Sequence, residues 1–85
     1  RADFVFLDVR SPHEHEETRL PQSRLIPLGS LRGRLHELPP DKPIVTFCDI
    51  GLRGYEAALI LTDAGFRDVR MLDGGLAMWP YERIE

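Results

Sequence analysis

The sequence predicts an α/β fold with a mainly parallel central sheet and helices on both faces, and three observations predict it. Phe4-Val5-Phe6-Leu7 and Pro43-Ile44-Val45-Thr46-Phe47 are compact runs without strict polar alternation, the pattern of strands buried on both faces. Helical segments separate these runs and a later one, Val69-Arg70-Met71-Leu72. That alternation returns each strand to the same edge of a sheet. The loops between them are short, which leaves no linker at which to divide the chain. Residues 1–85 are therefore expected to form one domain, with roughly 60–65% of the unfolded surface buried at this size.

Each element has a local cause. The first strand ends at Asp8-Val9-Arg10, and Ser11-Pro12-His13-Glu14 announces a helix over 12–18. Ser11 is the N-cap, Pro12 fills the first helical position, and Glu14 stands three residues after the cap to complete a capping box. From Arg19 to Pro27 two prolines frame a loop with a minimal strand at Leu25-Ile26. Leu28, Leu31, Leu35 and Leu38 recur at spacings of three and four, which predicts a second helix that Pro39-Pro40 stops. After Cys48 a Gly-bearing segment leads into another helix, whose core face is assigned to Tyr55, Ala58, Leu59 and the Leu61-Thr62 region. It closes at Ala64-Gly65-Phe66, where Gly takes the left-handed cap and Phe packs back on the last turn. Beyond the strand at 69–72, Asp73-Gly74-Gly75 turns the chain into a last helical segment with Leu76, Met78 and Trp79, which read as core closure.

Composition narrows the function classes. Apolar residues make up 42% and charged residues 29%, and no apolar run approaches the ~20 residues of a membrane span. The net charge of −3 has mixed signs and offers no basic stripe for nucleic acid. A lone cysteine forms no internal disulfide, so an acting thiol needs a reducing compartment, and the expected location is cytoplasmic.

The chemistry converges on Cys48, at the carboxyl end of a strand, where α/β folds place their sites. An ordinary thiol is only about 3% ionised at neutral pH, so a nucleophilic one needs its anion stabilised. The amides of residues 49–53, the positive φ open to Gly51, the start of the following helix and the charge of Arg53 all supply that. The fork of Arg53 can hold the loop through carbonyls or bind an anionic substrate group. Single cysteines are also commonly inert buried hydrophobes, and the residues alone leave both readings standing. His13, His15 and His36 precede Cys48 on other elements and read as solvated helix positions. His13 and His15, two apart, make a poor metal pair. Glu14, Glu16 and Glu17 read as a solvated face, and no metal site is expected.

The ordered set Leu7-Asp8-Val9-Arg10-Ser11-Pro12 with Glu14, Leu20-Pro21 to Ile26-Pro27-Leu28, Cys48-Asp49-Ile50-Gly51-Leu52-Arg53, and Gly65-Phe66 through Gly74-Gly75 to Trp79 resembles the rhodanese family of sulfurtransferases. The string through Gly54-Tyr55 most resembles the rhodanese domain at the C-terminus of coenzyme A disulfide reductase-type flavoprotein oxidoreductases. The resemblance implies that Cys48 carries sulfane sulfur as a persulfide, taken from thiosulfate or a persulfide and passed to a thiol. It implies an anion-binding loop of Asp49, Ile50, Gly51, Leu52 and Arg53, with Asp8 and Arg10 supporting it. No cofactor is implied in this domain, and FAD and NAD(P) would belong to a fused or associated flavoprotein reductase. The loop from Cys48 to Arg53 has six residues, one fewer than related phosphatases use, which favours sulfur transfer.

Three features depart from the family pattern. Asp49 stands where many thiosulfate-using members carry a basic residue, so weak thiosulfate activity is expected. Thr18-Arg19 and Gln22-Ser23 replace the Gly-His and Gly-Ala that commonly flank Leu20-Pro21. The chain also begins at what resembles the family's second strand, so the first strand and helix are expected to belong to a longer polypeptide. The alternative function is a non-catalytic docking or redox-sensing module of a larger oxidoreductase.

Overall fold

The computed structural model describes residues 4–48 and 52–72. Strands β1 (Val5–Asp8), β2 (Arg24–Leu25), β3 (Ile44–Phe47) and β4 (Val69–Met71) form one parallel sheet in the order β2-β1-β3-β4. Register pairs Val5 with Ile44 and Asp8 with Phe47, while Leu25 faces Asp8 and Met71 faces Thr46. The strands therefore end along a common carboxyl edge. Cys48 stands one residue beyond β3, as Val9 does beyond β1.

Alternation along the two central strands sorts the core into two layers. On one face Leu7, Val9, Ile44 and Cys48 pack with Leu31, Ala57 and Leu61. On the other, Phe47 packs with Leu20, Phe6 and Leu72. Helix α2 (Leu52–Asp63) covers the first face. Helix α1 (Pro12–Glu17) lies toward the second, because Asp8 points opposite to Leu7 and its carboxylate meets His15 of α1. The α1 N-terminus forms the capping box that its sequence predicts: Glu14 N donates to Ser11 Oγ at 3.2 Å, and Ser11 N donates to Glu14 Oε1 at 2.9 Å.

Two expectations are corrected. The Leu28 to Leu38 segment is not one α-helix but two 3-10 segments, Leu28–Gly33 and Leu35–Glu37. Leu28 and Leu31, like Leu35 and Leu38, are three apart, which is also the 3-10 repeat, and Gly29 and Gly33 weaken an α-helix by about 1 kcal/mol each. The buried face of α2 is Gly54, Ala57 and Leu61, whereas Tyr55 and Leu59 are each 52% exposed. Small residues face the sheet because the helix comes close to it: a Cβ on Gly54 would stand 3.3 Å from Phe47 Cα.

At the far end of α2 the expected Gly cap is present. Gly65 has φ +99, Gly65 N donates to the Thr62 carbonyl at 3.1 Å, and Phe66 N donates to the Leu61 carbonyl at 3.0 Å. These are the two bonds of a Schellman motif. In the loop after α1, Gln22, which stands where the resemblance expects glycine, takes φ 62. That left-handed conformation costs a non-glycine residue about 1 kcal/mol. Among the described residues no helix is long and apolar enough to cross a membrane. The turn at 73–75 and the segment with Leu76, Met78 and Trp79 lie outside the described residues, as do Asp49, Ile50 and Gly51.

Candidate functional site

Cys48 is buried, with 1% of its surface exposed. A thiolate there loses hydration and needs local donors in its place. Gly54 N supplies one, 3.4 Å from Cys48 Sγ. Gly54 is the third residue of α2, so its N–H belongs to the first-turn donors that have no partner within the helix and point along its positive end. The absence of a side chain at Gly54 permits this approach. Thr46, the one hydroxyl residue in β3, reinforces it by donating from Oγ1 to the Gly54 carbonyl at 2.7 Å. One residue thus donates to the sulfur and accepts from the strand beneath it.

Arg53 precedes Gly54 and reaches across the carboxyl edge of the sheet. Its Nη1 donates to Glu14 Oε1 at 2.7 Å and its Nη2 to Glu14 Oε2 at 3.0 Å. This two-point bond ties the start of α2 to the start of α1. The Arg53 guanidinium and the Ser11 N–H hold the Glu14 carboxyl down to a pKa of about 2, against an ordinary value of 4.5.

Asp8 and Arg10, expected to support the site, form a buried pair in the β1–α1 turn. Arg10 donates to Asp8 Oδ1 from its backbone N and Nε, both at 3.0 Å, and to Oδ2 from Nη2 at 2.9 Å. Arg10 Nη2 also donates to the Thr18 carbonyl, closing the far end of α1. Because Asp8 already accepts three bonds from Arg10, its 2.7 Å contact with His15 Nδ1 is a donation from the ring N–H. The turn that presents Glu14 to Arg53 is therefore built on a fully hydrogen-bonded buried carboxylate.

Of the sequence-derived site residues, the structure places Cys48 beneath the start of α2, Arg53 on Glu14, and Asp8 on Arg10. Leu52 is 72% exposed on the first turn of α2. Asp49, Ile50 and Gly51 lie outside the described residues. Sequence reasoning missed Gly54, Glu14 and His15. Glu14 was legible as a capping residue, but its second partner lies 39 positions away and no local signal marks it. His15 stands seven residues after Asp8, on the adjoining element, and nothing in that spacing distinguishes it from solvated His13. A groove of about 600 Å³, bounded by Leu28, Arg32, Leu35, Glu56, Leu59 and Ile60, lies along the half of α2 remote from Cys48. Among the described residues no group of three or more His, Cys, Asp or Glu converges to hold a metal.

Comparison with known proteins identifies the family. A model of the rhodanese-like domain family covers residues 1–81. A curated protein named sulfurtransferase, from Allochromatium vinosum, is 31% identical over 77 residues, 91% of this chain and 72% of that protein. The solved NAD-dependent persulfide reductase from A. fulgidus is 48% identical with a TM-score of 0.81, over 93% of this chain and 14% of that one. The reduced CoADR-RHD of Bacillus anthracis is 42% identical with a TM-score of 0.82, over 87% of this chain and 13% of that one. From its strand order to its cysteine at the sheet's carboxyl edge, and over nearly its whole length, the chain belongs to the rhodanese-like domain family.

Proposed function

We propose that this domain transfers sulfane sulfur through a persulfide on Cys48. The observation that carries the reading is the Gly54 N–H directed at Cys48 Sγ from the first turn of α2, at the carboxyl edge of the sheet. A donor N–H there favours the attacking thiolate and then the terminal anionic sulfur of the intermediate. In the first half-reaction the thiolate attacks the outer sulfur of the donor. A new S–S bond forms on Cys48, the donor's S–S bond breaks, and its electron pair leaves with sulfite from thiosulfate or with a thiolate from a thiol persulfide. In the second, an acceptor thiolate attacks that outer sulfur and releases the Cys48 thiolate, a ping-pong scheme.

The preferred donor is a thiol persulfide, because Asp49 puts a negative charge into the loop sequence where thiosulfate brings two. No cofactor takes part within this domain. The similarity to parts of a persulfide reductase and of CoADR-RHD supports a flavoprotein reductase as the partner, with FAD and NAD(P) on its side. It equally supports the second reading, a docking or redox-sensing module of such an oxidoreductase.

Intact-mass measurement after incubation with a thiol persulfide or thiosulfate separates the two. Sulfur transfer requires an adduct of about 32 Da on the wild type that an acceptor thiol removes and that Cys48→Ala lacks. No adduct with any donor, or an equal adduct on the variant, would sink the proposal in favour of the module.

A further inference from the structure

Glu14 is held from two sides, and what it holds is the one cation of the Cys48 loop sequence. Its Oε1 accepts from the Ser11 backbone N–H, its own N–H is capped by Ser11 Oγ, and both its oxygens receive the Arg53 fork. A carboxylate pinned by its own capping box cannot follow the guanidinium elsewhere, so the guanidinium is the group whose position is set. The two side chains are 38% and 27% exposed, so water screens their bond less than it would a fully solvated pair. A donor approaching Cys48 therefore meets, in Arg53, a guanidinium whose charge is already balanced by Glu14. Thiosulfate, a dianion with three oxygens to satisfy, needs an uncompensated cation. The outer sulfur of a thiol persulfide needs only an N–H donor such as that of Gly54.

We infer that Glu14 is a positioning residue that sets donor choice: by taking both terminal nitrogens of Arg53 it commits the guanidinium to the β1–α1 turn and disfavours oxyanion donors relative to thiol persulfides. The inference rests on the sulfur-transfer reading above and adds to it the residue that selects the donor class.

The test compares the wild type with Glu14→Gln, in which the amide oxygen still accepts from Ser11 N–H while the negative charge is gone. Sulfite, an oxyanion that donates no sulfur, reports affinity by calorimetry. Thiosulfate and hydroxyethyl persulfide report KM and kcat. Glu14→Gln is expected to bind sulfite about fivefold more tightly and to lower the thiosulfate KM by about the same factor, the scale of one partly screened charge. Its kcat, and its KM for the persulfide, should stay within about twofold of the wild type. Adding Arg53→Gln should abolish the gain, because the gain needs the guanidinium. Unchanged sulfite affinity and thiosulfate KM, or an equal loss of kcat with both donors, would overturn the assignment and leave Glu14 a structural support. Should Glu14→Gln fail to fold, Arg53→Lys serves instead: an ammonium cannot bridge both oxygens, so sulfite affinity should rise, and no rise overturns the inference. If no donor yields a persulfide on the wild type while Glu14→Gln still gains sulfite affinity, sulfur transfer fails and the hold of Glu14 on Arg53 stands. Persulfide formation with no gain in affinity has the opposite meaning.

Discussion

Glu14 joins two hydrogen-bonding systems that the sequence displays separately, a helix cap and a cationic loop end. The cap was legible from Ser11-Pro12-His13-Glu14 because all its parts lie within one turn. The bond to Arg53 was not, since it depends on how two elements meet over the sheet. The pair also leaves a signature in pH. The folded-state pKa of Glu14 is about 2, below the ordinary 4.5, so its contribution to stability is fully present above about 4.5 and is lost as pH falls toward 2. At near-neutral pH Glu14→Gln should be less stable than the wild type by about 1 kcal/mol, given the solvent that reaches both side chains. Chemical denaturation repeated from about pH 6 down to about pH 3 should show that gap narrowing. A gap that stays constant would mean that the charge of Glu14 does not stabilise the fold.

At the scale of elements, α2 shows why hydrophobicity alone misplaces a helix. Tyr55 and Leu59 are the larger apolar residues and were assigned to the core, yet Gly54 and Ala57 face the sheet. Close approach favours small side chains, and that approach brings a backbone N–H to Cys48 Sγ. Gly54→Ala tests which effect wins. Helix propensity alone would make the variant more stable by up to about 1 kcal/mol. The added Cβ, however, would press on Phe47 backbone in a central strand that is paired on both sides and has little freedom to yield. A net loss of roughly 1–3 kcal/mol in denaturant unfolding is expected; a gain would show that β3 gives way.

The Leu28 to Leu38 segment teaches a related lesson, since a spacing of three satisfies either helix type until the glycines between decide. Departures from the family pattern around Leu20-Pro21 also carry a local cost. Thr18 Oγ1 and Ser23 Oγ are buried hydroxyls with no hydrogen-bond partner among the described residues. Each such group costs about 1–3 kcal/mol.

For the whole molecule, the decisive feature is that β1 and β3 lie side by side, in parallel, and end together. The β1–α1 turn and the Cys48 loop are far apart in the chain but leave adjacent strand ends, so Glu14 and Arg53 can join the layers on opposite faces of the sheet. Beneath that junction lies the Asp8–Arg10 pair, 0% and 1% exposed. Asp8→Ala would remove the buried carboxylate that accepts three bonds from Arg10 and one from His15, with an expected loss of about 3–5 kcal/mol. Replacing both residues of the pair by apolar side chains should cost less than the single change. Thermal and denaturant unfolding of the two variants would check the order, and a milder single variant would mean that water reaches Arg10.

What the sequence determined by itself was local or ordered along the chain: the strand runs, the capping box of α1, the glycine cap of α2, and a cysteine between strand and helix. These rest on periodicity and on bonds that close within a turn, and the ordered motifs resemble one family closely enough to imply its chemistry. Only the tertiary structure decided which face α2 buries, that Gly54 N meets Cys48 Sγ, and that the fork of Arg53 is held by Glu14. Those are contacts between elements, set by the register of parallel strands and the distance at which a helix can lie on them. No spacing within a single segment encodes either.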